Sequence, residues 1–313
     1  MSLVAGVDLG GTNITVVLLD GVDIIDRARK RTPQEGPEAV REAIVRTVGK
    51  LDRAPEAVGV GAPGPVRDGV VMTAPNLDGW VAPVDLAGGL TDALGLPVAV
   101  DNDATVGALG EWTAGAGRGA RSLLGAWIGT GVGGGLVLDG RPYRGAFGLA
   151  GEFGHMIVHR GGALCGCGRR GCVEAYAGRA ALEGAAVTAA QAGRPTAMPA
   201  IQERLGKRRM TSAVWSTALA EGDALATRLF ADAIDALGCA IASAVNLLDL
   251  DTVVLGGGLA EKLGGDFVEQ VAAATRPRIL AGAEDRRFLL AALGDDAGAI
   301  GAAAIAREAL AGS

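Results

Sequence analysis

Aromatic side chains are scarce. Only 4% of the 313 residues are Phe, Trp or Tyr, although 49% are hydrophobic. The core therefore has to be assembled from Ala, Val, Leu and Ile. A basic excess is also missing: the formal net charge is -6, which provides no polyanion-binding surface and argues against nucleic acid as a partner. Long apolar runs are interrupted. Residues 240–260 are among the most apolar, yet Asn246, Asp249 and Asp251 break them. A bilayer span needs about 18 or more apolar residues, so no membrane segment is expected. No basic stretch precedes an apolar one near the start, so no secretory leader and a cytoplasmic location are expected. Cysteine is rare, at four residues, and three of them lie within 165–172. That clustering favours metal ligands in a reducing compartment over a disulfide framework.

Glycine, by contrast, is abundant, with 51 residues. Apolar runs at Leu3–Leu9 and Ile14–Leu19 flank a glycine turn and read as a hairpin. The pattern recurs: Leu123–Ile128 runs into glycine-rich 129–135, and Leu136–Leu138 follows. Such a repeat suggests two related domains. A further strand, Thr252–Leu255, enters Gly256, Gly257 and Gly258. Ala57–Gly61 and Pro97–Val100 read as short buried strands. Helical periodicity marks 36–51 and 102–113, helices dominate 180–248, and the last helix is expected over Ala297–Leu310.

Each glycine loop follows a strand. Without Cβ atoms, backbone N–H groups can approach an anion closely, although any single loop reads equally well as a tight turn. None is followed by the Lys-Ser or Lys-Thr of a Walker loop, and Gly129-Thr130-Gly131 leads into a strand rather than the helix of a dinucleotide fingerprint. Together, the three loops point to a nucleotide cleft between two domains. Asp8, an acid at a strand end beside the first loop, would suit a magnesium-bound water. Thr12, Asn13 and Thr130 can offer hydrogen bonds to phosphate.

His155, Cys165, Cys167 and Cys172 are a normal ligand set for tetrahedral zinc. A redox pair and free thiols are the alternatives, but C-x-C is not the thioredoxin spacing. Four protein ligands close the shell, so such a zinc would be structural. His159 reads as a surface residue and Cys239 as a core one. Asp101, Asn102 and Asp103 stand where a strand meets a helix. They suit either helix capping or a carboxylate base that accepts a hydroxyl proton.

"VDLGGTN", "GTGVGGG" and "LGGGL" resemble the first phosphate, second phosphate and adenosine loops of the sugar kinase, Hsp70 and actin superfamily. "AGEFGHM", "CGCGRRGC" and "VEAYAG" further resemble the ROK family, over nearly the whole chain. The resemblance implies a two-domain α/β, ribonuclease-H-like fold with an interdomain cleft that a hinge closes. The first domain is expected over 1–117 with 297–313 packing back, and the second, carrying the zinc loop, over 118–296. ATP and Mg2+ are the implied cofactors, with Zn2+ as a structural metal. ATP would be held by Asp8 (through magnesium and water), Gly10, Gly11, Thr12, Asn13, Gly129, Thr130, Gly131, Gly133, Gly256, Gly257 and Gly258.

The same resemblance makes Asp103 the catalytic base and Asn102 a sugar ligand. Asp101 departs from the family's usual Glu. Glu152, His155 and Glu174 would contact sugar hydroxyls, with Gly64 and Asn76 as further candidates. The implied reaction is transfer of the γ-phosphate of ATP to the 6-hydroxyl of a hexose. Glucose is favoured because the motif series looks most like bacterial glucokinases. Kinases for mannose, fructose, allose, N-acetylglucosamine and N-acetylmannosamine share these motifs, and polyphosphate stays open as donor. A sugar-responsive repressor would need a helix-turn-helix before Leu3. An actin-like or chaperone ATPase would need neither Asp103 nor a zinc-walled pocket. A homodimer is expected.

Overall fold

Leu3 lies opposite Asp20 and Leu9 opposite Ile14, so β1 (Leu3–Leu9) and β2 (Asn13–Asp20) pair antiparallel. The expected hairpin forms, and Gly10–Thr12 is its turn. These contacts belong to a computed structural model, which describes residues 2–74 and 76–312. Next in the chain come β3 (Asp23–Arg31), β4 (Ala57–Ala62), the short β5 (Val66–Arg67), β6 (Val70–Val71) and β7 (Val84–Asp85), and β8 (Val98–Asn102). β3 is antiparallel to β2, whereas β4 runs parallel to β1 and β8 parallel to β4. The sheet order is β3-β2-β1-β4-β8, with β5, β6 and β7 forming a separate small sheet.

A second five-stranded sheet contains β9 (Ser122–Ile128), β10 (Val132–Leu138), β11 (Arg141–Pro142), β12 (Thr252–Gly256) and β13 (Arg287–Leu290). Its order is β11-β10-β9-β12-β13. Both sheets therefore follow the pattern third, second, first, fourth, fifth. By contacts the chain divides into a first unit of 1–125, 135–151 and 292–313 and a second of 126–134 and 152–291.

In the first unit, Val7, Leu9, Ile14 and Val16 on one sheet face join Ile44 and Leu90 from two helices in a buried apolar cluster. The opposite face carries the last helix, Ala297–Gly312. That helix lies unusually close. A Cβ on Gly6 would fall 1.8 Å from the Ala299 carbonyl oxygen, and one on Gly59 would fall 1.7 Å from that of Ala302. Backbone cannot yield to such contacts, so these strand positions have to be glycine. Nearby, the fully buried Glu111 accepts hydrogen bonds from the backbone N–H groups of Ala116, Ala292 and Leu293.

The second unit is built around the long helix Ala224–Leu248, with Phe230 and Phe267 ring centroids 5.5 Å apart. This helix is long and apolar enough to cross a bilayer by length and composition, yet half of its most apolar window is buried within the protein. Such burial is what a core helix of this length requires.

Two sequence expectations are corrected. The strand expected at 136–138 begins at Val132, so Gly133 and Gly135 are strand residues rather than loop residues. Gly135 is glycine because a Cβ there would meet the Ala104 carbonyl oxygen at 2.5 Å. Cys239, read as a core residue, is only partly buried.

Candidate active site

In the first unit the β1–β2 turn is tightly held. Gly10 N–H donates to the Asn13 carbonyl at 3.0 Å, Thr32 N–H to the Thr12 carbonyl at 2.9 Å and the Thr32 hydroxyl to the Gly10 carbonyl at 2.6 Å. Gly11 approaches the Asn76 backbone so closely that a Cβ would fall 3.0 Å from the Asn76 carbonyl oxygen. Gly64 has φ of 85°, and a Cβ there would lie 1.9 Å from the Thr73 carbonyl oxygen. Its carbonyl accepts a hydrogen bond from Asn102 Nδ2 at 3.0 Å. The fold thus brings Gly11 beside Asn76 and Gly64 beside Asn102.

The strand-to-helix junction shows which of its residues is the cap. Asn102 is the N-cap of helix Asp103–Ala114: its Oδ1 accepts from Ala104 N–H at 3.0 Å and Thr105 N–H at 3.1 Å. Asp101 is buried and takes the Asn102 N–H at 2.8 Å and Arg144 Nε at 2.6 Å. Asp103 is exposed in the first helical turn, where its carboxylate also accepts from Ala104 N–H at 2.7 Å. With capping assigned to Asn102, the helix does not need Asp103 as its cap.

Asp8 ends β1 and faces the start of the last helix, its carboxyl carbon 3.1 Å from where a Cβ of Gly298 would sit. Loss of hydration, then the charges of Asp103 and Asp295, push its carboxyl up from the usual carboxylate range to about 7. A cation beside this carboxylate would relieve all three penalties, so Asp8 fits a divalent ion bound through water.

In the second unit the ligand atoms of His155, Cys165, Cys167 and Cys172 all lie within 4.8 Å of one another. Cys167 and Cys172 sulfurs are 3.7 Å apart, and Cys165 Sγ is 3.8 Å from His155 Nδ1. Tetrahedral thiolates with Zn–S near 2.3 Å stand about 3.8 Å apart, so the residues fit zinc. Burial pushes the Cys165 thiol up to about 12, whereas the backbone N–H and side chain of Arg169 draw Cys167 down to about 6. One thiolate is thus favoured at neutral pH before any metal arrives. His155 presents Nδ1 to the cluster and Nε2 to Glu152, whose Oε2 lies 3.9 Å away. A metal on Nδ1 would fix the proton on Nε2.

Glu174 joins this cluster to the second glycine loop. Its Oε2 accepts the Val132 N–H at 3.0 Å, and Cys165 Sγ lies 3.5 Å from Oε1. A Cβ on Gly131 would fall 2.3 Å from Glu174 Oε2 and would displace that carboxylate. The loop's other side is held by the helix that follows, Arg179–Gln191. Arg179 N–H donates to the Gly129 carbonyl at 3.1 Å and Ala180 N–H to that of Thr130 at 3.0 Å. Gly257, with φ of 84°, lies against the Ile128 backbone, 2.8 Å from its carbonyl oxygen at an added Cβ. Gly256 faces the Trp127 ring, which an added Cβ would meet at 2.2 Å. The second and third glycine loops are therefore neighbours; Gly257 begins the next helix, with Gly256 as its N-cap.

The sequence did not single out Thr32, Arg144 or Arg179. Arg144 pairs with Asp101 from 43 residues away, and nothing in the sequence links the two. Thr32 and Arg179 lie outside the glycine loops they bind, and spacing alone does not show such contacts.

The ROK family model matches residues 4–309. A glucokinase from Streptomyces coelicolor is 35% identical, covering 98% of each chain. An N-acetylgalactosamine kinase from a Shewanella species is also 35% identical, over 95% of this chain and 94% of its own. Among solved structures, a ROK family glucokinase from Streptomyces griseus in complex with glucose and AMPPNP has a TM-score of 0.81 and 34% identity, covering 98% of this chain and 99% of that one.

Proposed function

The chain belongs to the ROK family, and we propose that it is an ATP-dependent hexose kinase acting on the 6-hydroxyl of glucose. The observation that carries this reading is the division of labour at the β8–helix junction. Asn102 caps the helix, and this reading assigns the exposed Asp103 beside it as the proton acceptor. In this reading the sugar hydroxyl gives its proton to Asp103 as the hydroxyl oxygen bonds to the terminal phosphorus of ATP. The bridging P–O bond breaks, and ADP leaves.

Gly10–Asn13, Gly129–Gly131 and Gly133 are assigned to the phosphates, and Gly256–Gly258 to the adenosine. Magnesium held through Asp8 supplies charge neutralisation on the phosphates. Glu152, His155 Nε2, Glu174, Asn102, Gly64 and Asn76 are assigned to the sugar. A thiol at Cys165 donates toward Glu174 Oε1, whereas a zinc-bound thiolate accepts instead and leaves Oε1 for a hydroxyl donor. Zinc in this reading has no open position and shapes the wall that carries Glu174.

A homodimer belongs to the same proposal. The exposed Leu247 and Leu280 lie next to the Asn246 bonds to Arg278 and Leu280, which gives the second unit an apolar surface for a second copy. The testing experiment is a set of initial rates with hexoses and N-acetylhexosamines, under ATP or polyphosphate. Glucose with ATP should give the highest kcat/KM. A higher value for an N-acetylhexosamine would move the substrate to the sugar class of the Shewanella relative.

A further inference from the structure

None of the three glycine loops contains a Lys or Arg, yet a nucleoside triphosphate brings several negative charges. The structure places one cation on the second loop from outside it. Arg179 Nη2 donates to the Thr130 hydroxyl at 2.8 Å. We propose that Arg179 is a donor-phosphate residue, binding the phosphate chain of the nucleotide at the second glycine loop; this rests on the kinase reading above.

The helix N-terminus at Arg179 does not supply the positive end in its place. Its first two N–H groups are used by the Gly129 and Thr130 carbonyls. Because peptide units are planar and trans, those carbonyls turn the N–H groups of Thr130 and Gly131 away from the helix. Neither N–H has a partner among the described residues. The loop therefore offers two backbone donors and one hydroxyl, with a guanidinium on the hydroxyl. A planar fork with five donors can keep the Thr130 contact and still bind phosphate oxygens. The charge of Arg179 is felt by Glu183, one helical turn on. Glu183 is already engaged: its carboxylate accepts from Arg209 Nε at 3.0 Å and from Met210 N–H at 3.0 Å. It leaves the Arg179 guanidinium available to an anion.

A merely structural role, bracing Thr130, predicts different mutants. Arg179→Gln keeps an N–H donor for the Thr130 hydroxyl and loses the charge. Arg179→Lys keeps the charge and loses the fork. The proposal expects Arg179→Gln to raise the KM for ATP by about 10- to 100-fold, with sugar KM within about threefold of wild type. Arg179→Lys should fall between wild type and Gln. Calorimetric titration adds a readout independent of turnover: Arg179→Gln should lose affinity for ATP but keep that for adenosine, which carries no phosphate. Full activity of the Gln variant, or equal losses for ATP and adenosine, would overturn the proposal in favour of bracing. Failure of the kinase reading looks different, because wild type itself would then phosphorylate no hexose.

Discussion

Two acids of the first unit carry opposite expectations for stability. Asp103 is not the cap, so Asp103→Asn should leave thermal stability within about 0.5 kcal/mol of wild type while lowering kcat by about 10²-fold or more. Matched melting curves and saturating kinetics check both halves. If Asp103 served the helix instead, the Asn variant, which keeps capping capacity, would retain its kcat. Asp8 is the reverse case. Its carboxyl is held up at about 7, against an unfolded value of 3.8, chiefly by loss of hydration. Between those values the folded state holds the extra proton, so stability falls as pH rises, and the full penalty stands above pH 7. Metal-free Asp8→Asn should therefore be more stable than wild type at pH 8, by an amount on the order of 2 kcal/mol, and about equal to it at pH 3.5. Denaturant unfolding at the two pH values measures this. Equal stabilities at pH 8 would show that Asp8 is not strained by its surroundings. Asp103 could be singled out from sequence because it lies inside a short motif. That the cap is Asn102 could not, since Asn102 and Asp103 are both good caps and only the hydrogen bonds distinguish them.

At the scale of elements, the cluster of His155 and three cysteines holds a segment that would otherwise be loop. That segment runs from Cys165 through Cys172 to Glu174, and Glu174 reaches the Val132 N–H. Elemental analysis should find about one zinc per chain. Cys165→Ala should lower the melting temperature and raise sugar KM, because the anchor of Glu174 is lost. Protein that is free of metal yet fully active would contradict this. The cluster was legible in the sequence because its thiols and imidazole stand at short spacing. The second glycine loop was read too long. Gly133 and Gly135 looked like loop residues but lie in strand β10, which at Gly135 passes so near the Ala104 backbone that glycine is required. Sequence shows that a glycine is present, not whether a turn, an anion or a neighbouring backbone demands it.

At the scale of the whole molecule, the recurrence of strand–glycine–strand was the most informative pattern. It suggested two related domains, and the structure holds two sheets with the same strand order, β3-β2-β1-β4-β8 and β11-β10-β9-β12-β13. The contact of the last helix with the first sheet was less legible, since Gly6 and Gly59 sit in strands whose apolar pattern says nothing about a helix 1.7–1.8 Å from an absent Cβ. What the molecule does with these parts rests on one claim, that a phosphoryl group passes from ATP to a sugar hydroxyl. Phosphorus NMR of ATP, magnesium and glucose incubated with the protein tests it most directly. The account predicts ADP and an equal amount of a phosphate monoester on the sugar 6-oxygen. Unchanged ATP, or ADP with inorganic phosphate and no sugar ester, would contradict it.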